Sequence, residues 1–169
     1  VLIRGIRSNF KQVIGYFLSA NAMSGDALKT LVLQSIAKVQ EAGFIPKVIV
    51  TDQGSNNVCM RTQLGVSESS PYVEVNGEKV YFFFDAPHLL KSVRNNFKQH
   101  NVEFKGHVCK WKDIVDFYNI DSKLTHRLAP KLSKKHILLP PFSPMRVCLA
   151  AQTMSASVCK GILTCVALN

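Results

Sequence analysis

The stretch V-I-V-T-D-Q-G-S-N-N, residues 48–57, decides the fold class of this chain. The uninterrupted apolar run predicts a strand from Lys47 to Thr51 that is covered on both faces of its sheet. Asp52 follows at the carboxyl end of that strand, where open α/β sheets place their functional crevice. A carboxylate followed by a glycine turn and side-chain amides is suited to binding a hard divalent cation. The same pattern is equally expected if Asp52 caps the next helix.

The residues before this strand predict a hairpin and a helix. Two β-prone runs, residues 2–7 and 11–18, are joined by the turn signal Ser8-Asn9. Ser24 is a candidate N-cap, and apolar residues then recur at helical spacing until Gly43. A crossover helix of this length normally returns a strand parallel to one already in the sheet, so the order of elements indicates an α/β fold.

A second hairpin is predicted around Asn76-Gly77, and its outgoing strand ends in another acid, Asp85. Two carboxylates at neighbouring strand ends would be placed to hold two metal ions together. Alternatively, Asp85 lies beside the first turn of a helix that begins at Pro87, where a negative charge is favourable. His88, in that first turn, is a candidate metal ligand or a hydrogen-bonding residue. Both alternatives stay open at the level of sequence.

Basic residues follow in two groups. Lys91, Arg94 and Lys98 are three and four residues apart and share one helical face, which predicts either a phosphate-binding stripe or a solvated surface. The second group comprises Lys131, Lys134, Lys135 and His136. No glycine-rich phosphate loop accompanies either group.

The composition favours a polyanionic partner and a soluble domain. The 169 residues carry 21 Lys and Arg against 11 Asp and Glu, a net charge of +10. Five cysteines without a C-x-x-C pair indicate neither a zinc site nor a disulfide framework, which fits a reducing compartment. The apolar stretch 145–166 is interrupted by polar and basic residues, so we expect a helix of a soluble domain and no membrane association.

Five ordered blocks resemble the P-element-type transposases, including relatives that carry an N-terminal THAP DNA-binding domain. The blocks are F-K-Q-V-I-G-Y-F-L (10–18), T-D-Q-G-S-N-N (51–57), F-D-A-P-H-L-L-K-S-V-R-N-N (84–96), A-P-K-L-S-K-K-H (129–136) and M-R-V-C-L-A-A-Q-T-M-S-A-S-V (145–158). The resemblance covers nearly the whole chain.

This resemblance implies an α/β, RNase H-like transposase core of the retroviral-integrase type, interrupted by a mainly α-helical GTP-binding insertion. We assign residues 1–87 to part of the core and residues 88–169 to the first part of the insertion. Family members cut DNA and join strands with three acidic residues and divalent metal. Asp52 matches the second acid, and the first acid and the final Glu are expected before Val1 and beyond Asn169.

The resemblance also implies the remaining site residues and partners. Lys131, Arg146 and Val147 are expected to contact GTP, and Asp52 to hold Mg²⁺ or Mn²⁺. A supporting role or a DNA contact is expected for four further residues: Asp85, His88, Lys91 and Arg94. The expected partners are transposon-end and target DNA, GTP and further copies of the same protein, and the expected location is the nucleus.

Two other functions are compatible with the sequence. A domesticated derivative would keep the fold for binding DNA or protein and would lack catalysis. A stand-alone guanine-nucleotide module is the third possibility, and the missing phosphate loop counts against it.

Overall fold

A computed structural model of the chain describes residues 1–168, and these residues form two compact units. The first unit is Val1–Asp85 and the second begins at Ala86. Each unit has its own hydrophobic cluster. The two units are therefore described separately.

The first unit combines short strands with two helices. The bounds are β1 (Leu2–Arg4), β2 (Lys11–Val13), α1 (Gly25–Glu41), β3 (Val48–Thr51), α2 (Ser55–Gln63), β4 (Tyr72–Val75) and β5 (Glu78–Phe84). Strand β5 is central in a three-stranded sheet: β3 pairs with it in parallel and β4 pairs with it antiparallel. β1 and β2 form a separate antiparallel pair.

Local signals account for most of these boundaries. Asn76 and Gly77 both have positive φ angles, 50° and 76°, as a two-residue type I′ hairpin turn requires, which confirms the predicted hairpin. Ser24 is the N-cap of α1, and its hydroxyl accepts a hydrogen bond from the Ala27 amide at 3.3 Å. The core between the sheet and the two helices contains Met60, Val66 and Phe82.

Two expectations for the first unit are wrong. Strand β3 is not covered on both faces, because Val48 and Val50 are exposed, Val50 by 58%. Nor does α1 return a strand parallel to the first hairpin, since β3 pairs with β5, which comes later in the chain. An open groove instead separates the β1–β2 pair from α1, lined by side chains that include Ile3, Leu31 and Phe44.

The second unit is mainly helical and contains one small hairpin. Its elements are α3 (Ala86–Gln99), β6 (Val102–Phe104), β7 (His107–Cys109), α4 (Trp111–Asp121), α5 (Lys134–Leu138), a 3₁₀ turn (Ser143–Met145), α6 (Val147–Thr153) and α7 (Ala156–Ala167). The stretch W-K-D-I-V-D-F-Y-N-I forms most of α4. The core is formed by Ile114, Phe117, Ala129, Leu132 and Val158.

Within residues 1–168, the helical stretch Val147–Ala167 is long and apolar enough to cross a membrane by length and composition. Core helices of globular domains pass the same test. The stretch is divided into α6 and α7 at Met154-Ser155. Leu149, Ala150 and Val158 from the two helices are buried within the second unit.

The contact between α4 and α7 depends on a glycine. A Cβ atom at the buried Gly161 would overlap the ring of Phe117. We expect Gly161→Ala to lower the free energy of unfolding by about 1–3 kcal/mol, even though alanine is the better helix former, because the closely packed ring has little room to move. Urea denaturation would measure this, with the exposed Cys159→Ala on the same helix as control. An increase in stability would show that the ring relaxes freely.

Candidate functional site

Asp52 and Asp85 occupy the ends of two neighbouring parallel strands. Thr51 is paired with Phe84 in the register of β3 and β5, and each acid is the next residue in the chain. The Asp85 amide donates a hydrogen bond to the Thr51 carbonyl at 2.8 Å. Both residues therefore leave the sheet at the same carboxyl-terminal edge.

The turn after β3 fixes the Asp52 carboxylate. Its Oδ1 accepts hydrogen bonds from the Gly54 amide at 2.9 Å and from Asn57 Nδ2 at 2.7 Å. A Cβ atom at Gly54 would lie 2.9 Å from that same oxygen, so glycine allows the close approach. The N-cap of α2 is Gly54, which means that Asp52 organises the turn and is not itself the capping residue.

The donors present at this edge suit a hard cation in type but not in number. Asp52 is exposed and offers carboxylate oxygen, the ligand that Mg²⁺ and Mn²⁺ prefer. Within residues 1–168, no group of three or more His, Cys, Asp or Glu side chains is placed to hold a metal. The residues described here therefore fit a part of a metal site and leave the rest of the coordination to other groups.

In the second unit, Lys131 lies exposed on the loop between α4 and α5. An ion pair between the buried Asp121 and the partly buried Arg127 shapes that loop. Asp121 is fully buried, and its Oδ2 lies 2.9 Å from Arg127 Nη2 and 3.0 Å from Nε. Asp121 Oδ1 accepts hydrogen bonds from the amides of Leu128 and Ala129. The backbone before Lys131 is thus tied to α4, and the Leu132 carbonyl after it accepts a hydrogen bond from Arg127 Nη2.

Arg146 and Val147 lie where the 3₁₀ turn meets α6. Arg146 is exposed and is the N-cap of α6, and Val147 is its first residue. The preceding segment bends sharply, because Leu139 and Phe142 have positive φ angles of 36° and 62°, which non-glycine residues rarely adopt.

Two buried polar side chains hold these segments. Arg94 Nη2, on α3, donates to the Pro144 carbonyl at 3.0 Å, two residues before Arg146. His136, on α5, contacts Ser133 through Nδ1 and Gln152 on α6 through Nε2 at 2.9 Å. The loop that carries Lys131 and the helix that begins at Val147 are therefore joined by a side-chain bridge.

Two sequence expectations are corrected here. Arg94 is 0% exposed, so it cannot belong to an exposed phosphate-binding stripe with Lys91 and Lys98. Burial lowers the pKa of the Arg94 guanidinium, and among the described residues its Nη1 has no hydrogen-bond partner. His136 is likewise buried and does not join the basic cluster of Lys131, Lys134 and Lys135.

Three further candidate residues, Lys91, Lys98 and His88, lie on α3. Lys91 is half-buried, Lys98 is exposed, and His88 is exposed in the first turn of α3. Nothing in the structure assigns a function to these three residues, so their roles as supporting or DNA-contacting groups stay predictions.

Comparison with known families accounts for both units. The model for the TNP-like RNase H N-terminal domain matches residues 1–65, and the model for the TNP-like GTP-binding insertion domain matches residues 87–169. The Transposable element P transposase of Drosophila melanogaster is 27% identical over 171 residues, which include 99% of this chain. The chain belongs to the P-element-like transposase family.

Related proteins agree with this assignment. A chain of the Drosophila P element transposase strand transfer complex superposes on 99% of the present chain with a TM-score of 0.86, at 27% identity and over 38% of its own length. The DNA transposase THAP9 of Homo sapiens is 23% identical over 127 residues, 70% of this chain. The predicted family and the mixed α/β, RNase H-like fold class are confirmed.

This P-element-like chain spans only part of its relatives: 22% of the Drosophila transposase and 14% of the human protein. The match to a GTP-binding insertion domain covers the second unit from residue 87. The individual roles of Asp52, Lys131, Arg146 and Val147 stay predictions.

Sequence reasoning missed the residues that hold the loops of this P-element-like chain. Asp121, Arg127 and Arg94 give no motif, although an acid at the end of an amphipathic helix, six residues before an arginine, is a weak signal for such a pair. The β6–β7 hairpin was also missed. Its signal is Lys105-Gly106 between two short alternating runs.

The environment of Arg94 predicts an unusual response to substitution. Arg94→Met is expected to change the free energy of unfolding by less than about 1.5 kcal/mol, because methionine fills the space and removes a charge that is buried without a carboxylate partner among the described residues. Arg94→Ala should cost about 2–5 kcal/mol through the cavity that it leaves. Hydrogen exchange of α3 and α6 would measure both. Equal losses in both variants would show that the bond to Pro144 dominates.

Proposed function

We propose that this chain is part of a DNA transposase in which Asp52 is a catalytic metal ligand and the second unit binds GTP. The position of Asp52 carries the proposal. It directly follows β3 of an RNase H-like unit, its carboxylate is fixed by Gly54 and Asn57, and it is exposed. Metal-dependent polynucleotide cleavage and strand transfer use such a fixed carboxylate to hold the metal at the site of reaction.

A divalent cation such as Mg²⁺ or Mn²⁺, when bound, would favour ionisation of a water or a DNA 3′-hydroxyl and stabilise the leaving oxygen. The contribution of this chain is to hold the carboxylate of Asp52 in place. The hydrogen bonds from the Gly54 amide and from Asn57 Nδ2 both end on Oδ1, so the orientation of the carboxylate is set before a cation arrives. We assign Asp85, on the neighbouring strand end, a supporting role.

For GTP, we propose contacts from Lys131, Arg146 and Val147. Lys131 and Arg146 are exposed cations suited to phosphate or to acceptor atoms of the base, and each lies on a segment held by buried polar side chains. The resemblance to the P-element-type transposases implies that lysine is more common than arginine at position 146. Because arginine binds through a planar fork of donors, its contact need not have the geometry of a lysine contact. GTP would be bound without serving as the energy source for cutting.

The distribution of charge supports DNA as the partner. From residue 86 onward the chain carries 13 Lys and Arg against 4 Asp and Glu, whereas residues 1–85 carry 8 against 7. Nearly all of the excess positive charge therefore belongs to the second unit, as expected for a surface near a polyanion. We further infer self-association on transposon ends, without a membrane, and a location in the nucleus.

The experiment that tests this function is a cleavage and strand-transfer assay on the intact protein, with duplex DNA that carries the ends of its own element. We expect products that require both a divalent cation and GTP, and their loss on chelation of the metal. DNA binding without cleavage under any metal or nucleotide condition would contradict the transposase proposal and would favour the domesticated, catalytically inactive derivative.

A further inference from the structure

The β6–β7 hairpin in the second unit stands apart from the hydrophobic core. Every residue from Asn101 to Lys110 is exposed, including the apolar side chains of Val102, Phe104 and Val108. Phe104 is 65% exposed. An isolated two-stranded hairpin is marginally stable in water, and exposed apolar side chains grouped on a protrusion are typical of an interaction surface.

The turn of this hairpin presents a cation. Lys105 and Gly106 have positive φ angles of 50° and 79°, which form a two-residue turn of type I′. Lys105 Nζ lies 5.4 Å from the centre of the Phe104 ring. Lysine is less favourable at a left-handed position than asparagine or glycine. The residue that places an ammonium at the tip of the turn therefore has a conformational cost.

The two faces of the hairpin differ in charge. Phe104 pairs with His107 and Val102 with Cys109, so these four side chains share one face. Glu103 pairs with Val108 on the opposite face. Glu103 is the one acid in residues 98–112, which contain six Lys or His residues: Lys98, His100, Lys105, His107, Lys110 and Lys112. The Phe104 face is thus apolar and aromatic and carries no acid, and Lys105 lies at the turn that ends it.

We propose that the β6–β7 hairpin binds duplex DNA, with Lys105 at a backbone phosphate and the Phe104–His107 face toward a groove. A two-stranded β-ribbon has the width that the major groove of B-DNA admits. The Lys105 ammonium and the excess positive charge of the second unit complement phosphate, which distinguishes a DNA partner from an apolar protein surface. The proposal rests on the proposed function, in which DNA is the partner. Its test therefore distinguishes loss of the hairpin contact from loss of DNA binding by the whole protein.

The experiment measures binding of the intact protein to a fluorescently labelled, mixed-sequence DNA duplex over a range of salt concentrations. Lys105→Asn removes the charge and keeps a residue that type I′ turns favour. Lys160→Gln, at an exposed lysine on α7 of the same unit, removes one charge elsewhere and is the matched control. Phe104→Ala tests the apolar face without changing the charge.

We expect Lys105→Asn to weaken binding severalfold and to reduce the slope of log K against log salt by about 0.9, the value for one lost phosphate contact. Phe104→Ala should weaken binding with the slope unchanged, and Lys160→Gln should change neither quantity. Equal affinities and slopes for all variants, with DNA binding by the wild type intact, would overturn the hairpin proposal alone. Failure of the wild type to bind DNA would overturn the proposed function as well.

Discussion

Asp52→Asn is expected to lower the strand-transfer rate of the intact protein by more than about a hundredfold, because metal sites lose 10–100-fold even when only a residue behind the ligand is changed. Asparagine has the same shape as aspartate, and its Oδ1 still accepts the hydrogen bonds from Gly54 and Asn57. The turn and the fold are therefore kept, and what is removed is the negative charge that a divalent cation requires. DNA and GTP affinities should be unchanged.

Asp85→Asn is the matched control for this prediction. Asp85 follows the neighbouring strand in register with Asp52, and the substitution makes the same change of charge at the same edge of the sheet. We expect a smaller loss than for Asp52→Asn, about 10–100-fold, as for a residue that supports a metal ligand. Equal losses in the two variants would assign both carboxylates to the metal, and full activity of Asp52→Asn would remove Asp52 from the catalytic site.

The second large effect is expected at Asp121. Asp121→Ala should lower the free energy of unfolding of the second unit by about 2–4 kcal/mol, because Asp121 is fully buried while Arg127 is partly exposed to water. Arg127 loses its counter-ion, and the amides of Leu128 and Ala129 lose their acceptor. The loop that carries Lys131 would then be released from α4, and hydrogen exchange across residues 111–133 would detect the release.

Asp116→Ala is the control on the same helix. Asp116 forms an ion pair with Lys112 at 2.5 Å, and both side chains are largely exposed. This pair raises the pKa of Lys112 through its hydrogen bond and charge. Exposed pairs contribute little, so we expect a loss below about 1 kcal/mol. A similar loss for Asp121→Ala would mean that the loop 122–133 is held by packing and not by the buried carboxylate.

The sequence predicted best where structure is determined locally. Asn76-Gly77 specifies a type I′ turn through two adjacent residues, and Ser24 specifies a helix start through one hydroxyl. The apolar run before Asp52 placed this residue at a strand end, and β3 does end at Thr51. None of these features depends on how distant elements pack.

The errors came from packing between distant elements. Helical spacing groups Lys91, Arg94 and Lys98 on one face, but Arg94 also continues the spacing of Leu90 and Phe97, and that second face is the one turned inward. A pattern of positions cannot decide between overlapping faces when one residue belongs to both. The exposure of β3 was missed for the same reason, since a run of β-branched residues does not reveal which neighbours cover it.

Strand β5 pairs with β4, which directly precedes it in the chain, and with β3, which is separated from it by α2 and β4. This difference in sequence separation affects the expected order of folding. Strands β4 and β5 are joined by a two-residue turn, so their hairpin can form within microseconds. The parallel contact joins residues far apart in the chain, such as Val48 and Tyr81, and loop-closure entropy delays it. We therefore expect β3 to dock last, onto a hairpin that already exists, so Asp52 would reach its place beside Asp85 only near the end of folding of the first unit.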